Sequence, residues 1–330
     1  MAYRLYGALA SPYSIKMRAI LRYRRIVHTW HDGPERQDAL KQVRAPVIPV
    51  LRFPDGRYAN DSTPLIYALE ELHDGRGIVP PDPAMAFLAH LIEDFADEWL
   101  TKAMFGWRWL AEVDQVQMSR WLAFDMMRGG GLEQSQAAGE AFRARQVGRM
   151  GMVGCTEENF PLIEASARAV LAALEAHVTD TFFLFGTRPS LAEFALLGQL
   201  SQLATDPTPQ ALMRSDYPYT YRWLTHLDDL SGIEGEWADA PCDAALAIAR
   251  TAGDVYAPFL AANAAALAAG EENFAFTAMG RSYAQGTFKY QARCLADLRA
   301  RYAALGSGDT ARAAGWIGPA WTGLLEQQET

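Results

Sequence analysis

Ala10-Ser11-Pro12-Tyr13-Ser14-Ile15-Lys16-Met17-Arg18, "ASPYSIKMR", follows directly on a short apolar run from Tyr3 to Leu9. The run reads as a β-strand, and Pro12–Arg24 reads as a helix with Met17, Ile20 and Leu21 on one face. A Ser-Pro step between the two suits a helix N-terminus. Proline presets the first-turn φ and gives up an amide that has no intrahelical partner. The other first-turn amides, at the positive end of the helix dipole, then stay open to an anion. Two roles fit Ser11 at that place. It is an N-cap, or its hydroxyl donates to a bound thiolate and lowers that thiol's pKa.

Outward from this step, Val27–His31 reads as a second strand and Val47–Phe53, "VIPVLRF", as a third. Pro54-Asp55-Gly56-Arg57 is a turn, and Tyr58–Asn60 returns as a fourth strand. Asp61-Ser62-Thr63-Pro64 opens a helix that runs to about His73. The order is β-α-β, a short connection, then β-β-α. Pro49 stands at the start of a strand, where it lacks a ladder N–H. Either it marks an edge strand, or the Ile48–Pro49 bond is cis and the Ile48 backbone is free to pair strand-fashion with a ligand. Asp61 and Ser62 either cap their helix or bind a ligand end that carries both a carboxylate and an ammonium.

The 330 residues carry 30 Lys and Arg against 39 Asp and Glu, a formal charge of -9. That length favours two or more domains, and that charge argues against nucleic acid or an anionic membrane as the main partner. No stretch approaches the roughly 18 uninterrupted apolar residues of a spanning helix. The N-terminus enters a strand pattern with no signal-peptide layout. Cys155, Cys242 and Cys294 lie far apart with no C-x-x-C pair, and the six histidines do not cluster. Reduced cysteines, a cytoplasmic location and no metal are therefore expected.

"GRGIVPPDP", Gly75–Pro83, reads as a linker. Beyond it almost everything has helical spacing, over 84–112, 115–128, 133–149, 158–178, 191–204, 217–230, 241–268 and 286–304. Gly129-Gly130-Gly131 and Asp206–Pro209 read as breaks. "ENFAFTAMGRSYAQGTF" is glycine-punctuated and aromatic, with no element assigned to it.

In combination and order, "YGALASPYSIKMRAILRYR" and "VIPVLRFPDGRYANDSTPLIYALEEL" resemble the first strand, serine turn, proline strand and acidic-Ser helix start of the cytosolic glutathione transferase family. "GTRPSLAEFALL" resembles that family's C-domain capping motif, with Ser190 as N-cap, Glu193 completing the capping box, and Pro189 and Phe194 as the staple. The resemblance implies an α/β thioredoxin-like N-terminal domain (1–76), an all-α helical domain (84–234), and a helical C-terminal extension (235–330). It implies that Ser11 stabilises the glutathione thiolate, that Ile48 bonds the cysteinyl backbone beside cis-Pro49, and that Asp61 and Ser62 hold the γ-glutamyl end. Tyr13 is a rival hydroxyl beside the site, and Tyr6 is a strand residue that faces the core or stacks. The family usually has Gly or a basic residue just before the Ile/Val-Pro step. Here Pro46-Val47 stand there, which leaves Lys41 or Arg44 for the glycyl carboxylate.

Because Ser11 is not cysteine, the resemblance implies activation of glutathione itself as nucleophile rather than thiol–disulfide exchange. The expected activity is transfer of an alkyl or aryl group to glutathione, as in detoxification, by a cytoplasmic homodimer. Alternatives are a glutathione-dependent isomerase and a non-catalytic binding or structural protein on the same fold. Trp99, Phe105, Trp107, Trp109 and Trp121 are candidates for the wall of a hydrophobic electrophile pocket, or members of a bundle core. Glu93, Asp94, Asp97 and Glu98 either face solvent or meet the ligand's ammonium, Asp97 above all.

Overall fold

The computed structural model describes residues 2–326. The chain starts with β1 (Tyr3–Tyr6), α1 (Pro12–Tyr23), β2 (His28–His31), α2 (Arg36–Leu40), β3 (Val50–Arg52), β4 (Tyr58–Asn60) and α3 (Ser62–Leu72). There follow α4 (Pro83–Phe95), a π-helical turn (Ala96–Leu100), α5 (Thr101–Leu110), α6 (Glu112–Met126), α7 (Leu132–Val147), α8 (Phe160–Glu175), α9 (Leu191–Leu203), α10 (Pro207–Asp216) and α11 (Pro218–Leu227). The last third holds α12 (Asp243–Ala269), β5 (Asn273–Ala278), β6 (Arg281–Gly286), α13 (Lys289–Ala303), α14 (Ser307–Ile317) and α15 (Pro319–Leu325). The first part is a thioredoxin-like α/β domain, and helices dominate the rest.

The packing divides the chain into two compact units, each made of three segments. One holds residues up to Ile78 with Trp107–Gly148 and Glu193–Gly235; the other holds Val79–Gly106, Arg149–Ala192 and Glu236 onward. The stretch 84–234, expected as one helical domain, is thus distributed over both.

In the first unit, four strands form a mixed sheet in the order β2-β1-β3-β4, with β1 parallel to β2 and antiparallel to β3. Tyr6, Val50, Asn60 and His31 lie in one row of that register. Tyr6, Val50 and Ala39 form an apolar cluster that seats α2 on the sheet. The Tyr6 ring stacks on His31 at 4.9 Å, as expected of a strand residue. Helix α1 buries Ile15, Met17, Ile20 and Leu21. It meets α9 at Gly198, where a Cβ would come within 2.7 Å of the Pro12 carbonyl oxygen. Only glycine allows two helices this close.

The second unit closes around aromatic side chains. The Trp99 ring lies 5.4 Å from both Phe259 and Tyr283, and its indole N–H donates to Ser166 Oγ at 2.8 Å. Helix α12 is capped by Cys242, runs 27 residues from Asp243 to Ala269, and stops at Gly270 in the left-handed conformation (φ 73). Its alanine content explains its length, and glycine is the residue that tolerates that stop.

The elements depart from the sequence expectations at several places. The strand expected over 3–9 ends at Tyr6, and the one expected over 47–53 starts at Val50. The break expected over Asp206–Pro209 falls at 204–206, between α9 and α10: Asp206 is the extended N-cap and Pro207 already occupies the first turn of α10, where a missing N–H costs nothing. The helix expected from 286 starts at Lys289, because 273–286 form an antiparallel hairpin. Its two-residue turn is Met279-Gly280, both at positive φ (48 and 69). Those angles match the right-handed twist of the flanking strands. The helix expected over 84–112 is interrupted by the π-helical turn, a wider i→i+5 segment that leaves no compositional trace.

Candidate functional site

The register of the sheet assembles the site. Tyr6, Val50 and Asn60 share a row, so the chain leaving β1, the chain entering β3 and the chain leaving β4 all emerge at the same end of the sheet. Ser11, Ile48-Pro49 and Asp61-Ser62 are therefore neighbouring features of one sheet end, although some 50 residues separate the first from the last.

Ser11 is the N-cap of α1, in extended conformation (φ -105, ψ 116). Its Oγ accepts from the Ser14 N–H at 3.3 Å and from the Ser14 hydroxyl at 2.9 Å. With two donors aimed at its oxygen, the hydroxyl proton of Ser11 is left to point outward. Ser14 is fully buried, and Gly7 makes room for it: a Cβ on Gly7 would lie 2.7 Å from Ser14 Cβ and Oγ. The turn before Ser11 is pinned from several sides. Arg36 donates to the Gly7 carbonyl at 2.9 Å, Gln202 to that of Leu9 at 3.1 Å, and Arg108 to that of Ala10 at 3.3 Å. Arg108 is itself held by Asp206 through Nε at 2.9 Å and Nη2 at 3.0 Å, both residues being buried.

The Ile48–Pro49 peptide bond is cis. Pro49 is buried and Ile48 half-buried. The Asn60 side-chain amide donates to the Ala45 carbonyl at 2.7 Å and to that of Val47 at 3.3 Å, so the end of β4 fixes the approach to this step. Asp61 sits just before α3 at φ 75, ψ 110, a conformation that non-glycine residues rarely adopt. Its side chain does not cap the helix. Ser62 is buried, and its Oγ accepts from Lys16 Nζ at 3.4 Å.

The other candidates are spread more widely. Tyr13 is half-buried in the first turn of α1. Lys41 is exposed and pairs with Asp38 at 2.8 Å, and Arg44 is exposed. Trp121 lines a cavity of about 340 Å³ whose rim includes Leu9 and Ala10, the two residues before Ser11. Trp107 and Trp109 are buried in the same unit, Trp109 packing on Phe142, and are not among the lining residues of this cavity. Trp99 is a core residue of the other unit, where Phe105 is half-buried. In that unit Asp97 is buried in the π-helical turn, and Asp94 accepts from the Tyr256 hydroxyl at 2.8 Å. Burial pushes the Asp94 carboxyl up to about 8 and the Cys155 thiol up to about 11. A thiol raised in this way carries little thiolate at neutral pH, and no group of three or more His, Cys, Asp or Glu among the described residues is arranged to hold a metal ion.

Sequence reasoning missed Ser14, Asn60, Gln202, and three of the cavity residues on α6, Met118, Phe124 and Asp125. A Ser-x-x-Ser spacing at a helix start is a signal for the first, since the third residue of a helix reaches back to its cap. The i, i+3, i+7 spacing of Met118, Trp121 and Asp125 puts these three on one face of α6 but does not say that the face meets a cavity, and Asn60 and Gln202 carry no local signal.

Comparison with known proteins agrees with this architecture. Residues 5–77 match the family described as glutathione S-transferase, N-terminal domain, and residues 137–226 match glutathione S-transferase, C-terminal domain. The chain belongs to the glutathione S-transferase family. Among solved structures it is similar to a glutathione S-transferase from Methylobacterium radiotolerans in complex with glutathione sulfonate, at 20% identity, with 74% of this chain and 99% of that chain covered and a TM-score of 0.43. It is also similar to a glutathione S-transferase from Methylobacillus flagellatus with glutathione bound (18% identity, 68% and 93% covered, TM-score 0.40). A third is the beta-etherase LigF from Sphingobium (18% identity, 69% and 95% covered, TM-score 0.43). No curated protein matches the chain. No helix among the described residues is long and apolar enough to cross a membrane.

Proposed function

We propose that the chain is a glutathione transferase that activates glutathione as a thiolate at Ser11 for attack on a hydrophobic electrophile. The observation that carries the reading is the Ser11 hydroxyl itself. It sits at the N-terminus of α1 with two donors from Ser14 on its oxygen, so its own O–H is the group left to donate outward. A hydrogen bond to an anion contributes about 1.5–3 kcal/mol and is stronger than one to the neutral thiol, so it favours the ionised sulfur. The dipole of α1 acts in the same direction.

The peptide lies along the sheet end. The Ile48 backbone pairs with the cysteinyl unit strand-fashion, beside Pro49. The γ-glutamyl end sits at α3, its carboxylate at the helix N-terminus by Ser62 and its ammonium on the Asp61 carboxylate. The strained backbone of Asp61 supports this assignment, because such conformations persist where ligand geometry needs them. Lys41 or Arg44 takes the glycyl carboxylate. The electrophile enters the cavity beside Leu9 and Ala10, against Trp121. The thiolate sulfur forms a bond to its electrophilic carbon, the leaving group departs with the bonding pair, and the thiol proton has already gone to solvent. The protein acts in the cytoplasm as a homodimer.

The test is calorimetry of glutathione with the purified protein, followed by turnover of 1-chloro-2,4-dinitrobenzene. Saturable glutathione binding with release of chloride supports the reading. Absence of binding overturns it, and binding without turnover of any aryl or alkyl electrophile leaves a binding protein in its place.

A further inference from the structure

The cavity beside the Ser11 turn has one charged group without a hydrogen-bond partner among the described residues. Met118, Trp121 and Phe124 supply an apolar wall from α6, and Asp125 projects from the same helix. Gln202 and Thr205 also reach the cavity, and both are committed. Gln202 donates to the Leu9 carbonyl at 3.1 Å and accepts from Arg108 at 3.1 Å. Thr205 donates to the Gln202 carbonyl at 2.8 Å.

Asp125 differs. Among the described residues no hydrogen bond or ion pair ends on its carboxylate. The basic residues around it are engaged elsewhere: Arg128 pairs with Asp32 at 3.0 Å, and Arg36 donates to the Gly7 carbonyl. Burial raises the Asp125 carboxyl and Asp32 adds to this, while Arg128 and Arg36 oppose it. A half-buried carboxylate has lost part of its hydration, and a cation beside it compensates for that loss. The aromatic wall is suited to the same ligand, because Trp and Phe faces attract a cation and bury an apolar body.

Resting on the transferase reading, we propose that this cavity selects an aromatic substrate that carries a positive charge, and that Asp125 is the residue that sets this preference. The cavity volume of about 340 Å³ suits one or two fused rings.

The test uses two ligands with one ring system and opposite charge, 1-naphthylmethylammonium and 1-naphthoate, titrated calorimetrically with and without glutathione. The wild type binds the ammonium at least about ten-fold more tightly, a difference of about 1.4 kcal/mol. Asp125→Asn brings the two within about two-fold of each other and leaves glutathione affinity unchanged, which shows the site is intact. Equal binding in the wild type, preference for the carboxylate, a ratio that survives Asp125→Asn, or failure of both ligands to bind overturns the proposal. The titration without glutathione keeps the two failures apart. If glutathione does not bind but the charge preference appears and vanishes with Asp125→Asn, the transferase reading falls and the cation-selective cavity stands.

Discussion

The hydroxyl of Ser14 lies 2.9 Å from that of Ser11 and donates to it, while the Ser14 N–H donates to the same oxygen. Ser14 acts through Ser11: its two donors set the direction in which the Ser11 proton points. In Ser14→Ala the backbone donor remains and the second donor is lost. A neutral hydrogen bond contributes about 1 kcal/mol, so the pKa of bound glutathione rises by about half a unit. Conjugation therefore falls more at pH 6.5 than at pH 9, with KM for glutathione little changed. A uniform loss across pH assigns Ser14 to folding alone.

Asp61 holds a carboxylate at the sheet end on a backbone that disfavours a side chain. Its backbone, at φ 75 and ψ 110, suits glycine. Asp61→Gly raises thermal stability by about 1 kcal/mol and weakens glutathione binding about ten-fold or more. Thermal unfolding and calorimetry on one sample check both signs. A variant that melts earlier, or binds glutathione as well as the wild type, contradicts the assignment.

The pair Arg108–Asp206 holds the turn before Ser11 from within the protein. Arg108→Met strands a fully buried carboxylate at Asp206, which costs about 3–5 kcal/mol. Adding Asp206→Leu recovers part of that loss, because both charges are then gone. Denaturant midpoints of the two variants decide it. Equal midpoints for the single and double variants mean the pair is not what holds the turn.

Asp94 gives the second unit a dependence on pH. Its carboxyl lies at about 8 in the folded protein against about 3.9 in an unfolded chain. The folded state binds the extra proton in that interval, so stability is full below about pH 4, declines as pH rises to about 8, and levels off above. Asp94→Asn keeps an acceptor for the Tyr256 hydroxyl and removes the ionisation. The variant therefore melts higher than the wild type at pH 8, and the gap closes at pH 4. A constant gap over that range contradicts the raised carboxyl.

What could be read from the sequence follows from local rules. Ser11-Pro12 and Asp61-Ser62-Thr63-Pro64 announce helix starts through residues whose φ and hydrogen-bonding capacity suit nothing else so well. The strands around them alternate clearly enough to fix the order of the sheet. The 273–286 hairpin escaped because Met279 is an unusual residue at positive φ and because its strands lie between alanine-rich helices. The π-helical turn at Ala96–Leu100 leaves no pattern at all. Trp99, Trp107, Trp109 and Trp121 look alike in the sequence. Spacing says that each belongs to an apolar face but not whether that face meets other side chains or a cavity. Asp125 was invisible for a related reason. Whether a carboxylate has a partner depends on chain distant in sequence, such as Gln202, and on Arg128 turning to Asp32 instead.

If Ser11 ionises glutathione, the ultraviolet absorbance of the thiolate reports it directly. Bound glutathione is titrated against pH in the wild type and in Ser11→Ala. The expected result is a thiol pKa well below the roughly 8.5 of an ordinary cysteine thiol, and a rise of about one to two units in the variant with glutathione still bound. An undepressed pKa in the wild type, or the same depressed pKa in both proteins, contradicts it and leaves Ser11 as the cap of α1.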